Sequence, residues 1–179
     1  MCSAKWTAPL GPDAADAMFN AVSLVAERSF DAVAEKCDPG RFAELSAGTS
    51  RWLVATINFS EDQCAGAVSC GLSEELARTL FDSFSGRDAA GPAPDPAWLA
   101  DLAGEFTNMI CGSWLTRLAS HQTFKLSPPA VRHPAERWPL HRWDAPLLVT
   151  VNDLPLAVEV RLAAASAPST FVAAGRPVN

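Results

Sequence analysis

The chain has 179 residues, enough for one domain with a substantial core, and its 49% hydrophobic against 19% charged residues sets it well away from disordered compositions. A formal net charge of −6 and a pI near 5.0 argue against nucleic acid and anionic membrane as partners, because both are bound through basic surface. Met1 to Thr7 lacks the apolar core of a signal peptide and no apolar run nears the ~20 residues of a membrane span, so the expected location is cytoplasmic.

In chain order, Gly11-Pro12-Asp13 reads as a helix entrance, followed by Phe19, Val22, Ala26, Phe30 and Val33 at helical spacing. Asp38-Pro39-Gly40 reads as its stop, with a polar loop to Ser50. From Arg51 to Phe59, Leu53, Ala55, Ile57 and Phe59 alternate with Trp52, Val54, Thr56 and Asn58, which predicts a strand. A polar turn at residues 60–63 leads to a second strand over Ala65 to Leu72. Ser73 with Glu74 and Glu75 then opens a helix carrying Leu76, Leu80, Phe81 and Phe84 on one side, ended by Ser85-Gly86.

A Pro/Gly/Ala connector from Gly86 to Pro96 joins this helix to another predicted from about Trp98 to Ala119. A short strand from Thr123 to Leu126 follows, and then a proline-rich stretch, residues 127–146, which holds Arg132, Arg137 and Arg142 beside Trp138 and Trp143. Leu147 to Val151 and Leu156 to Leu162 form the clearest hairpin, turning at Asn152-Asp153. About three helices and five strands, with hairpins outnumbering crossovers, predict an α+β fold: an antiparallel sheet with long helices packed on one face. One domain over 13–163 is expected, with 1–12 and 164–179 as loose termini. The two halves faintly echo one another, so an internal pseudo-repeat is a further expectation.

Five cysteines form no CxxC pair, and an odd count cannot be fully paired within one chain, so reduced and mostly buried thiols are expected. His121, His133 and His141 fit no zinc spacing, and no metal site is expected. No GxSxG elbow, GxxxxGK[ST] loop or zincin motif offers the chain a nucleophile, phosphate cradle or metal of its own. Ser85-Gly86 reads as a helix end and Cys111 as a core thiol.

The most informative segment is the predicted helix at 98–119. At ~100° per residue, Asp101, Glu105, Asn108 and Gly112 fall in one narrow sector, with Leu99, Leu102, Phe106, Met109 and Ile110 roughly opposite. Glu105 and Asn108 are neighbours, with Cβ atoms ~5–6 Å apart. An acid and an amide are ordinary on any outer helix face, and that bland reading is the simplest one. Two details count against it. Gly104 and Gly112 each cost ~1 kcal/mol relative to alanine, which makes sense where a neighbouring backbone or a partner comes close, and Asn108 is a below-average helix former.

The run Asp101-Leu102-Ala103-Gly104-Glu105-Phe106-Thr107-Asn108-Met109-Ile110-Cys111-Gly112 resembles the signature helix of the CheC, FliY and CheX phosphatases of bacterial chemotaxis, and its Asn-Met-Ile-x-Gly ending is especially like CheX. The early helix, the Gly-containing hairpin feeding Ser73-Glu74-Glu75 and the final hairpin agree with it, over roughly Met18 to Ala163. The family's proline after the following strand is matched by Ser127-Pro128-Pro129, where both prolines are open to the role and Pro129 is carried forward. The resemblance implies dephosphorylation of the aspartyl phosphate of a CheY-type response regulator. Asn108 would hold the attacking water and Glu105 would pair with the regulator's active-site lysine, with Asp101, Gly112 and Pro129 in support. It implies no cofactor of the chain's own, since the Mg²⁺ belongs to the regulator, and it admits a homodimer formed through the apolar edge of the final hairpin. Phe30 stands where a second motif in the first helix would need asparagine, so that half is expected to be inactive. The alternative is a catalytically silent scaffold or binding module of the same fold, which need not keep Glu105 and Asn108.

Overall fold

The computed structural model describes residues 11–49, 51–61, 64–87, 91–118, 121–133, 143 and 145–163. Of the termini expected to be loose, 1–12 and 164–179, residues 1–10 and 164–179 lie outside them, as do Arg137, Trp138, His141 and Arg142, while Pro12 begins the first helix.

Helix α1 runs over Pro12–Phe30 and buries Met18, Ala21, Val22, Val25, Ala26 and Phe30. It ends earlier than the periodicity predicts, because Asp31 takes the left-handed conformation (φ 49°) that aspartate tolerates better than most residues. Val33, read as part of the apolar stripe, is outside the helix and exposed. Strand β1 follows over Ala34–Lys36.

Asp38-Pro39-Gly40 does not stop a helix but starts one. Helix α2 spans Pro39–Ala47, and the Asp38 carboxylate accepts from the amides of Gly40 and Arg41 at 2.9 and 3.1 Å. A first-turn proline loses no helical hydrogen bond, so the same tripeptide serves either role. The expected polar loop to Ser50 is mostly this helix. Its Phe42 docks on Trp52 with ring centroids 6.3 Å apart, beside Val54 and Ala157.

Strands β2 (Trp52–Glu61) and β3 (Cys64–Ser73) form the first hairpin. Ser73 caps helix α3 (Glu74–Ser85) through its hydroxyl, which accepts from the Leu76 amide, and Gly86 closes that helix in the left-handed conformation. Helix α4 spans Pro96–Leu118. Two short strands follow, β4 (Lys125–Leu126) and β5 (Ala130–Arg132), the second lying within the proline-rich stretch, for which no strand is predicted. The final hairpin joins β6 (Leu147–Val151) to β7 (Leu154–Ala163), with Asn152 and Asp153 both left-handed at the turn.

The described sheet has seven strands in the order β1-β6-β7-β3-β2-β4, and β5 also pairs β2. All pairings are antiparallel. The two hairpins meet at β3 and β7, and each is flanked by short strands that follow a long helix of the other half: β1 after α1 on the second hairpin, β4 and β5 after α4 on the first. The main core lies between one face of the sheet, presenting Leu53, Ile57, Val68, Leu72, Leu156 and Val158, and helices α1, α3 and α4. The α+β reading with long helices on one face therefore holds, and the short α2 covers part of the other face. The edge of the final hairpin expected to support a homodimer is not free. Residues 34–36 of β1 pair with 149–151, and the Cys37 amide donates to the Leu148 carbonyl.

Candidate functional site

Helix α4 is set against the core by Leu99, Ala103, Phe106, Ile110 and Trp114, each at most 2% exposed. The Trp114 indole donates to the Ala14 carbonyl of α1 at 3.3 Å, and Phe30 packs edge-on to Phe106 at 5.4 Å. These contacts fix the rotation of the helix, which turns its opposite face outward. Asp101 and Glu105 are exposed there, and Asn108 and Gly112 are half-buried. The four predicted residues thus form one ridge, ~16 Å long at 1.5 Å per residue.

Among the described residues, Asp101, Glu105 and Asn108 have no ion-pair or side-chain hydrogen-bond partner, whereas three acids elsewhere are paired. Asp16 holds Lys36, Asp153 holds Arg41 and Glu74 holds Arg78. The ridge carboxylates and amide are left available to another molecule.

The two flanks of the ridge differ. On the Gly104 side a Cβ would lie 2.9 and 3.0 Å from the Pro129 Cγ and Cβ atoms, closer than carbon atoms pack. Gly104 is therefore what lets the Pro129 ring rest on α4 one turn before Asn108, and Pro129 is the proline that touches this position. At Gly112, by contrast, an added Cβ would meet nothing within 4 Å. The close approach inferred from that glycine is not made by any of the described residues.

The other flank opens into a cleft of about 520 Å³ lined by Phe30, Phe81, Phe84, Trp98, Leu102 and Met109, with Asp101 and Glu105 on its rim. Trp98 stacks on Phe81 at 5.8 Å and Phe84 leans on Phe30 at the same distance. The Ser83 hydroxyl donates to the last carbonyl of α1, that of Phe30, and so ties α3 to α1 at the cleft floor. The sequence reading missed this feature. It sets Phe84 and Met109 on the apolar sides of their helices, yet Phe84 is 66% exposed and Met109 only partly buried. Trp98 went unremarked although it is 53% exposed, and the available signal was two large aromatics near facing helix ends.

Phe30, placed in the first helix where a second motif would need asparagine, is 2% exposed and packed between Phe84 and Phe106. Cys70 and Cys111 are buried in the core, and burial pushes both thiols up to about 12, far from a reactive thiolate. Cys111 is thus the core thiol expected. Among the described residues no three His, Cys, Asp or Glu side chains converge as metal ligands, and no helix is long and apolar enough to cross a membrane. Arg132 of the basic aromatic stretch is exposed on β5.

Comparison with known proteins gives a consistent picture. Residues 53–138, which include the whole ridge and Pro129, match the family model for the chemotaxis phosphatase CheX. No curated protein sequence matches. Among solved structures, CheX from Vibrio vulnificus shares the fold with a TM-score of 0.63 at 17% identity, covering 84% of this chain and 97% of its own. A putative chemotaxis protein from Desulfovibrio vulgaris Hildenborough scores 0.60 at 18% identity, with 86% and 98% covered. The CheX–CheY–BeF₃–Mg²⁺ complex from Borrelia burgdorferi scores 0.54 at 12% identity, with 82% and 96% covered. Residues 53–138 of this chain are thus similar to the CheX family model, and most of its length shares the fold of solved CheX, CheC-like and FliY structures.

Proposed function

We propose that this protein hydrolyses the aspartyl phosphate of a CheY-type response regulator, with Asn108 and Glu105 as the residues that act on it. The observation that carries the reading is the unpartnered, outward-facing pair Glu105 and Asn108 on a rigid core helix, inside the segment that matches the CheX family model. The solved relative with CheY, BeF₃ and Mg²⁺ bound supports the choice of partner.

An acyl phosphate needs little chemistry from a second protein. Water must be held in line with the scissile bond, and the charge on the phosphoryl oxygens must be matched. A carboxamide can donate to a water lone pair and accept one of its hydrogens at once, which aims the other lone pair at phosphorus. The water oxygen bonds to phosphorus as the bond to the aspartate oxygen breaks; the aspartate leaves as a carboxylate, and both protons of the water leave with the phosphate as H₂PO₄⁻. Glu105, one turn from Asn108, supplies a charge-assisted contact to the regulator's active-site lysine and so sets the register of the two proteins. In this reading Mg²⁺ is a ligand of the regulator, and this chain contributes no metal ligand. Asp101 extends the acidic face, Pro129 buttresses the helix, and the bare Gly112 admits the partner's backbone.

Asn108→Ala is expected to lower phosphate release from a phosphorylated regulator by about 10²-fold with the fold retained, in line with the loss of one aligned contact to the reacting groups. Glu105→Ala is expected to weaken regulator binding. Hydrolysis by Asn108→Ala at the parent rate would refute the catalytic assignment and favour a silent binding module.

A further inference from the structure

We infer that the aromatic cleft beside the ridge is a second docking element for the same regulator, taking one exposed apolar side chain that is flanked in the regulator's sequence by lysine or arginine. The inference rests on the phosphatase reading and adds to it the feature that selects among regulators.

Three observations lead there. The first is that the cleft is built and open: Phe84 and Trp98 leave 66% and 53% of their surface to solvent, while Phe30 beneath them is 2% exposed. Large aromatics held by ring contacts yet exposed are the anchors that dominate protein interfaces. The second is the charge of the rim. Among the described residues Asp101 and Glu105 edge the α4 side without a cation, whereas Arg87, over the Phe81 ring, is engaged by the Pro92 carbonyl at 2.7 Å. An apolar floor with two free carboxylates on one rim fits an apolar side chain beside a basic one, and disfavours an acidic neighbour.

The third observation is continuity. Asp101 and Glu105 belong to both the ridge and the cleft. Trp98 lies ten residues before Asn108, about 15 Å along the helix. A standard interface covers about 800 Å² on each partner, a patch of roughly 16 Å radius, so a receiver domain centred on Asn108 reaches Trp98. A body seated for in-line attack therefore meets this cleft.

The test uses the full chain and CheY-type receiver domains from the source organism, phosphorylated with acetyl phosphate; the one hydrolysed fastest serves as probe. Trp98→Ala and, independently, Phe84→Ser are expected to raise KM for that receiver at least tenfold, with kcat at saturation changed less than twofold. Their far-UV circular dichroism should match the parent. Parallel loss of kcat in Asn108→Ala establishes that the phosphatase reading stands. If it stands and both cleft variants keep the parent KM, the cleft inference is overturned alone. If no receiver is hydrolysed faster with the protein than without it, the phosphatase reading itself fails. A parent that dimerises, with cleft variants that turn monomeric at unchanged KM, would assign the cleft to a second copy of this chain and likewise overturn the inference.

Discussion

Replacing Gly104 with alanine sets two effects of known size against each other. In a helix interior the change gains ~1 kcal/mol from propensity alone. Against that, the new Cβ would lie 2.9 Å from the Pro129 Cγ and 3.0 Å from its Cβ, so a ring held in a rigid five-membered cycle must shift. Overpacking of this kind costs ~1–3 kcal/mol. The net expectation for Gly104→Ala is therefore a destabilisation of ~0–2 kcal/mol. The sign should reverse once the ring is gone. In a Pro129→Gly background both close atoms are absent, and Gly104→Ala should stabilise by the full ~1 kcal/mol. The expected coupling in a double-mutant cycle is thus ~1–3 kcal/mol, well beyond the additivity error of distant sites. Urea denaturation of the four proteins, followed by circular dichroism and analysed with a common slope, measures it. Additive effects, with Gly104→Ala stabilising in both backgrounds, would show that the exposed stretch at 128–130 moves aside freely and that Pro129 does not buttress the helix.

Three further outcomes follow from the same structure. Gly112→Ala, with nothing within 4 Å of the new Cβ, should raise stability by ~1 kcal/mol and the melting temperature by a few degrees; a lower melting temperature in scanning calorimetry would contradict the open space seen there. Cys70 and Cys111 should resist iodoacetamide in the native protein at pH 8 and react on unfolding, as peptide mapping by mass spectrometry would show, and prompt native labelling of either would be inconsistent with its burial. Both thiols are raised from 9.0 to about 12 by burial, so the unfolded chain releases their protons first. Their contribution is intact below pH 9 and falls as pH rises towards 12, by about 1 kcal/mol per thiol at pH 10. Urea midpoints at pH 8 and pH 10 should show a shallower decline in Cys70→Val than in the parent.

The elements that the sequence revealed are those whose own residues decide them. Ser73 ahead of Glu74 and Glu75 defines a helix start by local hydrogen bonding, and the alternation through Leu53, Ile57 and Phe59 puts one face of a strand in the core whatever its neighbours are. The ridge was legible for a similar reason: helical geometry alone brings Asp101, Glu105 and Asn108 together. Where the sequence misled, a local signal had two meanings. Asp38-Pro39-Gly40 can end a helix or cap one, and a nine-residue helix has little stability of its own, so the docking of Phe42 on Trp52 and Val54 decides for α2. Strand β5, three residues among prolines, exists through its pairing with Val54, Ala55 and Thr56.

Taken alone, the chain specifies an acidic α+β protein with one helix that carries an acid and an amide on a shared face. Only the tertiary structure decided what surrounds that face. Pro129 reaches Gly104 because β5 is drawn to β2, and the aromatic cleft arises where α1, α3 and α4 converge, three segments from distant parts of the chain. It also closed the edge of the final hairpin with β1. Spacing along a helix is fixed by covalent geometry and backbone hydrogen bonds within one segment, whereas the flanks of a site depend on long-range packing that no local pattern encodes.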